Sequence, residues 1–294
     1  MSAFNVMEMW DSQIFNTVEK LENTLAEIRK FETVGFVPTM GALHHGHLSL
    51  VQRALNECDR VVVSIFVNPT QFDNADDLEK YPGDLQTDVE LLNTVGDILV
   101  FAPDVEEIYP ENYQDIDIEL GSLGEVMEGK FRPGHFKGVM NVVKRLFDIV
   151  VPARAYFGKK DFQQVAVIRH MVRTLNLPVE IVPCEIVREE SGLASSSRNV
   201  RLSETEKRDA LVLSHSLKRC RDLSKDHTPS ELKKMVEERI EGSSLKLEYF
   251  EIVHPDTLEP ILEWVPGANA CIAAYCGETR LIDNMQIVSE QKNL

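Results

Sequence analysis

Short runs of this chain are apolar on both faces of a strand and alternate with helical patterns, and few architectures accommodate that. Thr33–Pro38, Val61–Val67, Ile98–Ala102, Ala155–Gly158 and Val179–Val187 read as strands. From Ile14 an apolar stripe recurs at Val18, Leu21, Leu25 and Ile28, and a second helix carries Leu48, Val51, Ala54 and Leu55. Further helical patterns lie near Asp84–Leu92, Val139–Val151 and Phe162–Leu175. A strand apolar on both faces must be covered on both faces, which predicts a parallel sheet flanked by helices.

That arrangement is an α/β, Rossmann-like, doubly wound sheet, in which ligands bind beyond the carboxyl ends of the strands. After Arg198 the texture changes. Ser203 with Glu206 and Thr228 with Glu231 form capping-box patterns that open two helices. Strands follow near Leu245–Val253, Ala270–Cys276 and Thr279–Asp283. The expected division is a Rossmann-like domain over residues 1–184 and a smaller α+β C-terminal domain over 185–294, which 294 residues can fill.

Charge excludes some functions. With 48 acidic against 31 basic residues, the formal charge is −17. Such a surface repels nucleic-acid phosphates and anionic lipid, so neither is an expected partner. An anionic small molecule must be held by local donors against that field. The five cysteines (58, 184, 220, 271, 276) are scattered without a CxxC pair, as reduced cytoplasmic thiols are. The first twenty residues fit neither a signal nor a transit peptide, and no apolar run reaches membrane-spanning length.

The chemistry-bearing clusters sit just after strands. Pro38-Thr-Met40-Gly41-Ala42-Leu43-His44-His45-Gly46-His47 joins a strand to a helix. Gly41 and Gly46 permit close backbone approach, the helix N-terminus suits a triphosphate, and His44 and His47 share one side of a turn. A metal site is the competing reading, but acidic or cysteine partners are missing nearby. In Gly158-Lys159-Lys160-Asp161, Lys160 can reach a phosphate and Asp161 a ribose hydroxyl; the plain alternative is a solvated loop. Ser195-Ser196-Ser197-Arg198-Asn199 can clamp phosphates, or be a polar turn before the Ser203 helix.

Taken together, these stretches resemble the pantothenate synthetase family, within the nucleotidyltransferases with HIGH-type motifs. The resemblance runs through Pro38–Leu50, Val63–Phe72, Phe131–Gly138, Ala155–Gln164, Gly192–Asn199 and Thr279–Asn284. It implies ATP-dependent condensation of (R)-pantoate with β-alanine through a pantoyl adenylate, releasing AMP and pyrophosphate. By position, the resemblance makes Met40–His47 the ATP loop, with His47 the proton donor and His44 facing pyrophosphate. It assigns Gly158–Asp161 and Val187 to adenosine, Lys160 to phosphate, and Ser195–Arg198 to a mobile loop. Gln71 and Gln164 would hold pantoate, with Gln71 near the β-alanine path. Mg2+ would accompany ATP, with Asp88 as its ligand. The C-terminal domain would act as a lid, and the first domain would form a homodimer.

The chain departs from the family pattern at Lys159, where Glu is usual and positive charge would be added beside the nucleotide. Ser195 stands for Leu or Met, Asn141 for Thr, and Tyr81–Asp84 lacks the usual Arg and Thr. Two other classes compete: a nucleotidyltransferase that keeps the nucleotide in its product, which would not need Gln71 and Gln164, and a non-catalytic nucleotide sensor.

Overall fold

The computed structural model describes residues 14–72 and 75–289; the first thirteen, part of the stretch read as lacking a leader, lie outside the described residues. The chain divides into two compact units. The first comprises residues up to Glu119, with Pro133–Gly158 and Val167–Cys184. Its strands are β1 (Ile14–Phe15), β2 (Val34–Thr39), β3 (Arg60–Ile65), β4 (Leu99–Phe101), β5 (Arg154–Gly158) and β6 (Glu180–Cys184). They form one sheet in the order β1-β4-β3-β2-β5-β6, paired in parallel. The winding steps outward from β2 through β3 to β4, then returns to β5 beside β2, which places the order reversal between β2 and β5.

The helices α1 (Val18–Ile28), α2 (His45–Glu57), α3 (Leu85–Leu92), α4 (His135–Val150) and α5 (Phe162–Thr174) follow the strands. Val37, Val61, Val63 and Tyr156 of the sheet pack with Leu48, Val51 and Ala54 of α2. Elsewhere Phe147 of α4 meets Phe36 and Phe157 edge-on, at centroid distances of 6.2 and 6.4 Å. Both faces are thus covered, which is why the strands show no polar alternation. Each buried Val or Leu contributes about 1.5–3 kcal/mol relative to exposure. Two boundaries differ from expectation. Ile14 is not the start of a helical stripe but pairs in β1 with Val100, extending the sheet edge. Helix α4 begins at His135, four residues early, because Gly134 (φ 87°) makes the left-handed turn that precedes it.

The second unit holds Glu185–Leu294 together with Leu120–Arg132 and Lys159–Ala166. It is α+β: an antiparallel sheet of β7 (Lys246–Val253), β8 (Asn269–Cys276) and β9 (Thr279–Gln286), with helices α6 (Glu204–Leu223) and α7 (Pro229–Glu241). Both helices open with the capping boxes read from the sequence, Ser203–Glu206 and Thr228–Glu231. Leu213, Leu217, Leu232 and Ile240 from the helices bury against Phe250, Ile252 and Ile272.

A single break at 184/185 therefore misplaces two segments, and buried polar chemistry explains why. The Glu128 carboxylate accepts from the Tyr249 hydroxyl at 2.7 Å and from both Arg280 terminal nitrogens at 2.9 and 2.8 Å. Burial raises its pKa, but the Arg280 bonds and charge outweigh that and leave the carboxyl at about 2. Gln163 Oε1 accepts from the Glu128 N–H at 2.9 Å, while its Nε2 donates to the carbonyls of Leu123 and Val126. Among the described residues no helix is long and apolar enough to cross a membrane.

Candidate active site

Sequence-predicted residues fall in both units. In the first, β2 ends at Thr39, whose hydroxyl donates to the Ser64 carbonyl at 2.6 Å and accepts from the Gly41 N–H at 3.2 Å. The chain then turns through Gly41 (φ 78°) and Ala42 (φ 50°). A Cβ on Gly41 would lie 2.9 Å from Asp88 Oδ2 and 3.1 Å from Ile65, so glycine is required there twice over. Asp88, buried on α3, accepts from the N–H groups of Ala42 (2.9 Å) and Leu43 (2.7 Å) with its two oxygens. Burial raises its pKa against those two bonds. Asp88, the residue expected to bind magnesium, also braces the Gly41–Leu43 turn through these two bonds.

Helix α2 then opens on a capping box made of histidines. His44 Nδ1 accepts from the Gly46 N–H at 3.0 Å, and His47 Nδ1 accepts from the His44 N–H at 3.3 Å. An accepting Nδ1 carries no proton, so in the neutral ring the hydrogen sits on Nε2. Both rings, with centroids 4.1 Å apart, thus present Nε2–H donors from one turn. The expected row of open backbone amides is corrected accordingly: the Ala42, Leu43, His44 and Gly46 N–H groups are engaged within the protein. His45 is exposed.

Gln71 is buried on the 3-10 turn Pro69–Gln71 after β3. Its Nε2 donates to Met40 Sδ (3.1 Å), its Oε1 accepts from Asn68 Nδ2 (3.1 Å), and its carbonyl contacts His135 Nδ1 (2.9 Å). Asn68, 1 % exposed, organises this turn: Oδ1 accepts from Tyr109 and Thr70, and Nδ2 also donates to the Gly138 carbonyl. In the sequence His135 stands out only as part of a matching stretch, and Asn68 as the Asn-Pro that ends a strand ahead of Gln71. Asn followed by Pro at a strand end is the signal for the turn that Asn68 organises.

In the second unit, Lys159–Asp161 form a 3-10 turn directly after β5 and its terminal Gly158. Lys160 and Gln164 are half-buried and Asp161 is exposed. Lys159 pairs with Glu185, so the extra charge expected beside the nucleotide is largely neutralised by a neighbour. Ser195 N–H donates to the Val187 carbonyl (3.0 Å), closing a hairpin whose arms also meet at Arg188 and Ala194. Ser196 caps the 3-10 turn Ser197–Arg201, accepting from the Arg198 N–H at 3.3 Å, and Asn199 Nδ2 holds Glu189 and the Ala194 carbonyl. Two other departures have structural uses. Asn141 Oδ1 accepts from Ile116 N–H (2.8 Å) and the Tyr113 hydroxyl (3.1 Å), and Asp84 caps α3, the helix that carries Asp88.

Comparison with known proteins places the chain in a family. The profile of the family described as pantoate-beta-alanine ligase matches residues 13–286. The chain is 52 % identical over 278 residues to the pantothenate synthetase of Porphyromonas gingivalis, covering 93 % of this chain and 99 % of that one. A crystal structure of the Thermus thermophilus pantothenate synthetase superposes with a TM-score of 0.89 at 46 % identity, covering 94 % and 99 % of the two chains. The Francisella tularensis pantoate-β-alanine ligase, solved in complex with "Beta-gamma ATP" and β-alanine, superposes with a TM-score of 0.77 at 36 % identity over 93 % and 97 %. The chain belongs to the pantoate–β-alanine ligase family and is a pantothenate-forming ligase.

Proposed function

We propose that this chain works through a pantoyl adenylate. The pantoate carboxylate attacks the α-phosphorus of ATP, the bond to the β-phosphate oxygen breaks, and pyrophosphate leaves. The β-alanine amine then attacks the acyl carbon, loses a proton, and displaces AMP. The observation that carries this reading is the histidine capping box, which sets the hydrogen of each neutral ring on Nε2 in the turn after β2. Negative charge grows on the leaving pyrophosphate, and preorganised donors stabilise it without reorganising at the moment of reaction. The ATP and β-alanine held by the Francisella relative support the same ligands here.

In this reading His47 is the donor to the leaving group and His44 neutralises pyrophosphate charge. Lys160 and Arg198 supply the permanent positive charge that a protein of net charge −17 must place locally. Met40–His47, Gly158–Asp161, Val187 and Ser195–Arg198 bind ATP. Gln71 and Gln164 hold pantoate, whose hydroxyls suit an amide that both donates and accepts. The C-terminal domain acts as a lid, and the chain works as a cytoplasmic homodimer, consistent with five cysteines of which none is in a disulfide. Among the described residues no group of three or more His, Cys, Asp or Glu is arranged to hold a metal, and Asp88 is engaged by backbone. Magnesium accompanies ATP as MgATP, with phosphates and water among its ligands and Asp88 as the residue of this chain that would hold it.

The test is ATP–pyrophosphate exchange in the absence of β-alanine. Exchange that depends on pantoate supports the adenylate; exchange indifferent to pantoate, or requiring β-alanine, refutes it.

A further inference from the structure

Asn284 lies on β9, 5 % exposed, with all its polar groups engaged. Its Nδ2 donates one hydrogen to the carbonyl of Lys159 (2.8 Å) and the other to that of Lys160 (2.9 Å). Its Oδ1 accepts from Asn269 Nδ2 (3.3 Å), which sets which way the amide faces. One residue earlier, Asp283 takes Arg188 in a two-pronged pair at 2.7 and 2.9 Å, and Arg188 also donates to the carbonyls of Gly192 and Asn284. Arg188 stands on the hairpin that leads into Ser196–Arg198. Adjacent residues of one strand thus hold both the Lys159–Asp161 turn and the base of the 195–198 loop.

The chemistry of the contact is selective. Two neighbouring carbonyls need two donors from one point, and a buried ammonium would need a counter-charge, whereas a primary amide supplies both N–H groups neutrally. We propose that Asn284 is a positioning residue for adenylate formation, fixing Lys160 by holding the carbonyls of its turn, with Asp283 tying that turn to the Arg198 loop through Arg188. This rests on the reading of Lys160 as a phosphate-binding residue. Asn284 touches no substrate; it acts by removing freedom from the backbone that carries Lys160. A displacement of about 1 Å in such a group lowers rate by on the order of a hundredfold.

The experiment is a double-mutant cycle in the full chain with Asn284→Ala and Lys160→Ala, read by pantoate-dependent ATP–pyrophosphate exchange. Asn284→Ala should lower the exchange kcat by about ten- to a hundredfold and leave the KM for pantoate within about twofold. In the double variant the rate should equal that of Lys160→Ala alone. Two slow single variants whose losses multiply would overturn the proposal, since Asn284 would then act independently of Lys160. Asn284→Ala with normal exchange would overturn it too. A normal Lys160→Ala enzyme would refute the role of Lys160 itself, and with it this route for Asn284. If Asn284→Ala does not fold, Asn284→Asp takes its place in the same cycle, keeping the shape and the bond to Asn269 but setting an acceptor against both carbonyls.

Discussion

His44 donates its backbone N–H to Nδ1 of His47, 3.3 Å away, so the residue proposed to serve the leaving group also closes the first turn of its own helix. The two functions use opposite ring atoms, and side-chain replacements can separate them. Asparagine places an acceptor where Nδ1 stands but has nothing at Nε2. His47→Asn should therefore unfold within about 1 kcal/mol of the parent, the scale of a cap substitution. Its exchange rate should fall by about a hundred- to a thousandfold, as for loss of a preorganised donor. Thermal unfolding and exchange measured on one sample check this; near-normal exchange would remove His47 from the mechanism.

Asp88 braces the Gly41–Leu43 turn through two backbone bonds. Asp88→Asn keeps the shape but turns an N–H2 group toward one of those amides, leaving a buried donor unsatisfied at a cost of about 1–3 kcal/mol. The KM for MgATP should rise through loss of the brace. If Asp88 also holds magnesium, the midpoint of the free-magnesium dependence at fixed MgATP should shift by about tenfold or more; an unchanged midpoint leaves it the brace alone.

Gly138 packs its α-carbon against the turn that carries Gln71. A Cβ there would lie 2.4 Å from the Thr70 carbonyl oxygen and 2.7 Å from its carbon. Gly138→Ala must move that backbone, at about 1–3 kcal/mol for an overpacked site. The displacement should appear as a raised KM for pantoate more than for ATP. Equal effects on both substrates would argue against Gln71 as a pantoate ligand.

Glu128 makes acid stability of the second unit testable. Its folded pKa, about 2, lies below the ordinary 4.5 because the Arg280 interactions outweigh burial. The unfolded chain therefore binds the proton more readily, and the stabilisation is complete above pH about 4.5 and lost as pH falls toward 2. Denaturant midpoints should drop across that window, and Glu128→Gln should flatten the drop while lowering neutral-pH stability by about 3–5 kcal/mol, the scale of breaking a buried pair. An unchanged slope in the variant would assign acid loss to other carboxylates.

The sequence alone determined the strand–helix alternation, the two capping boxes and the presence of His44 and His47 on one turn. Each depends on residues within about four positions of one another, where helix and strand periodicity and cap chemistry act. It also pointed to the clusters after β2, β3 and β5, because a doubly wound sheet exposes loops at those strand ends. Tertiary structure decided the rest. Asp88 finds Leu43 and Ala42 across 45 and 46 positions, Asn284 finds Lys160 and Lys159 across 124 and 125, and Arg280 finds Glu128 across 152. A polar side chain states which bonds it can make, not with whom; the partner is chosen when packing buries it and the cost of an unsatisfied group forces a pairing. That choice made Asp88 a backbone brace, and drew residues 120–132 and 159–166 into a unit expected to lie wholly beyond 184.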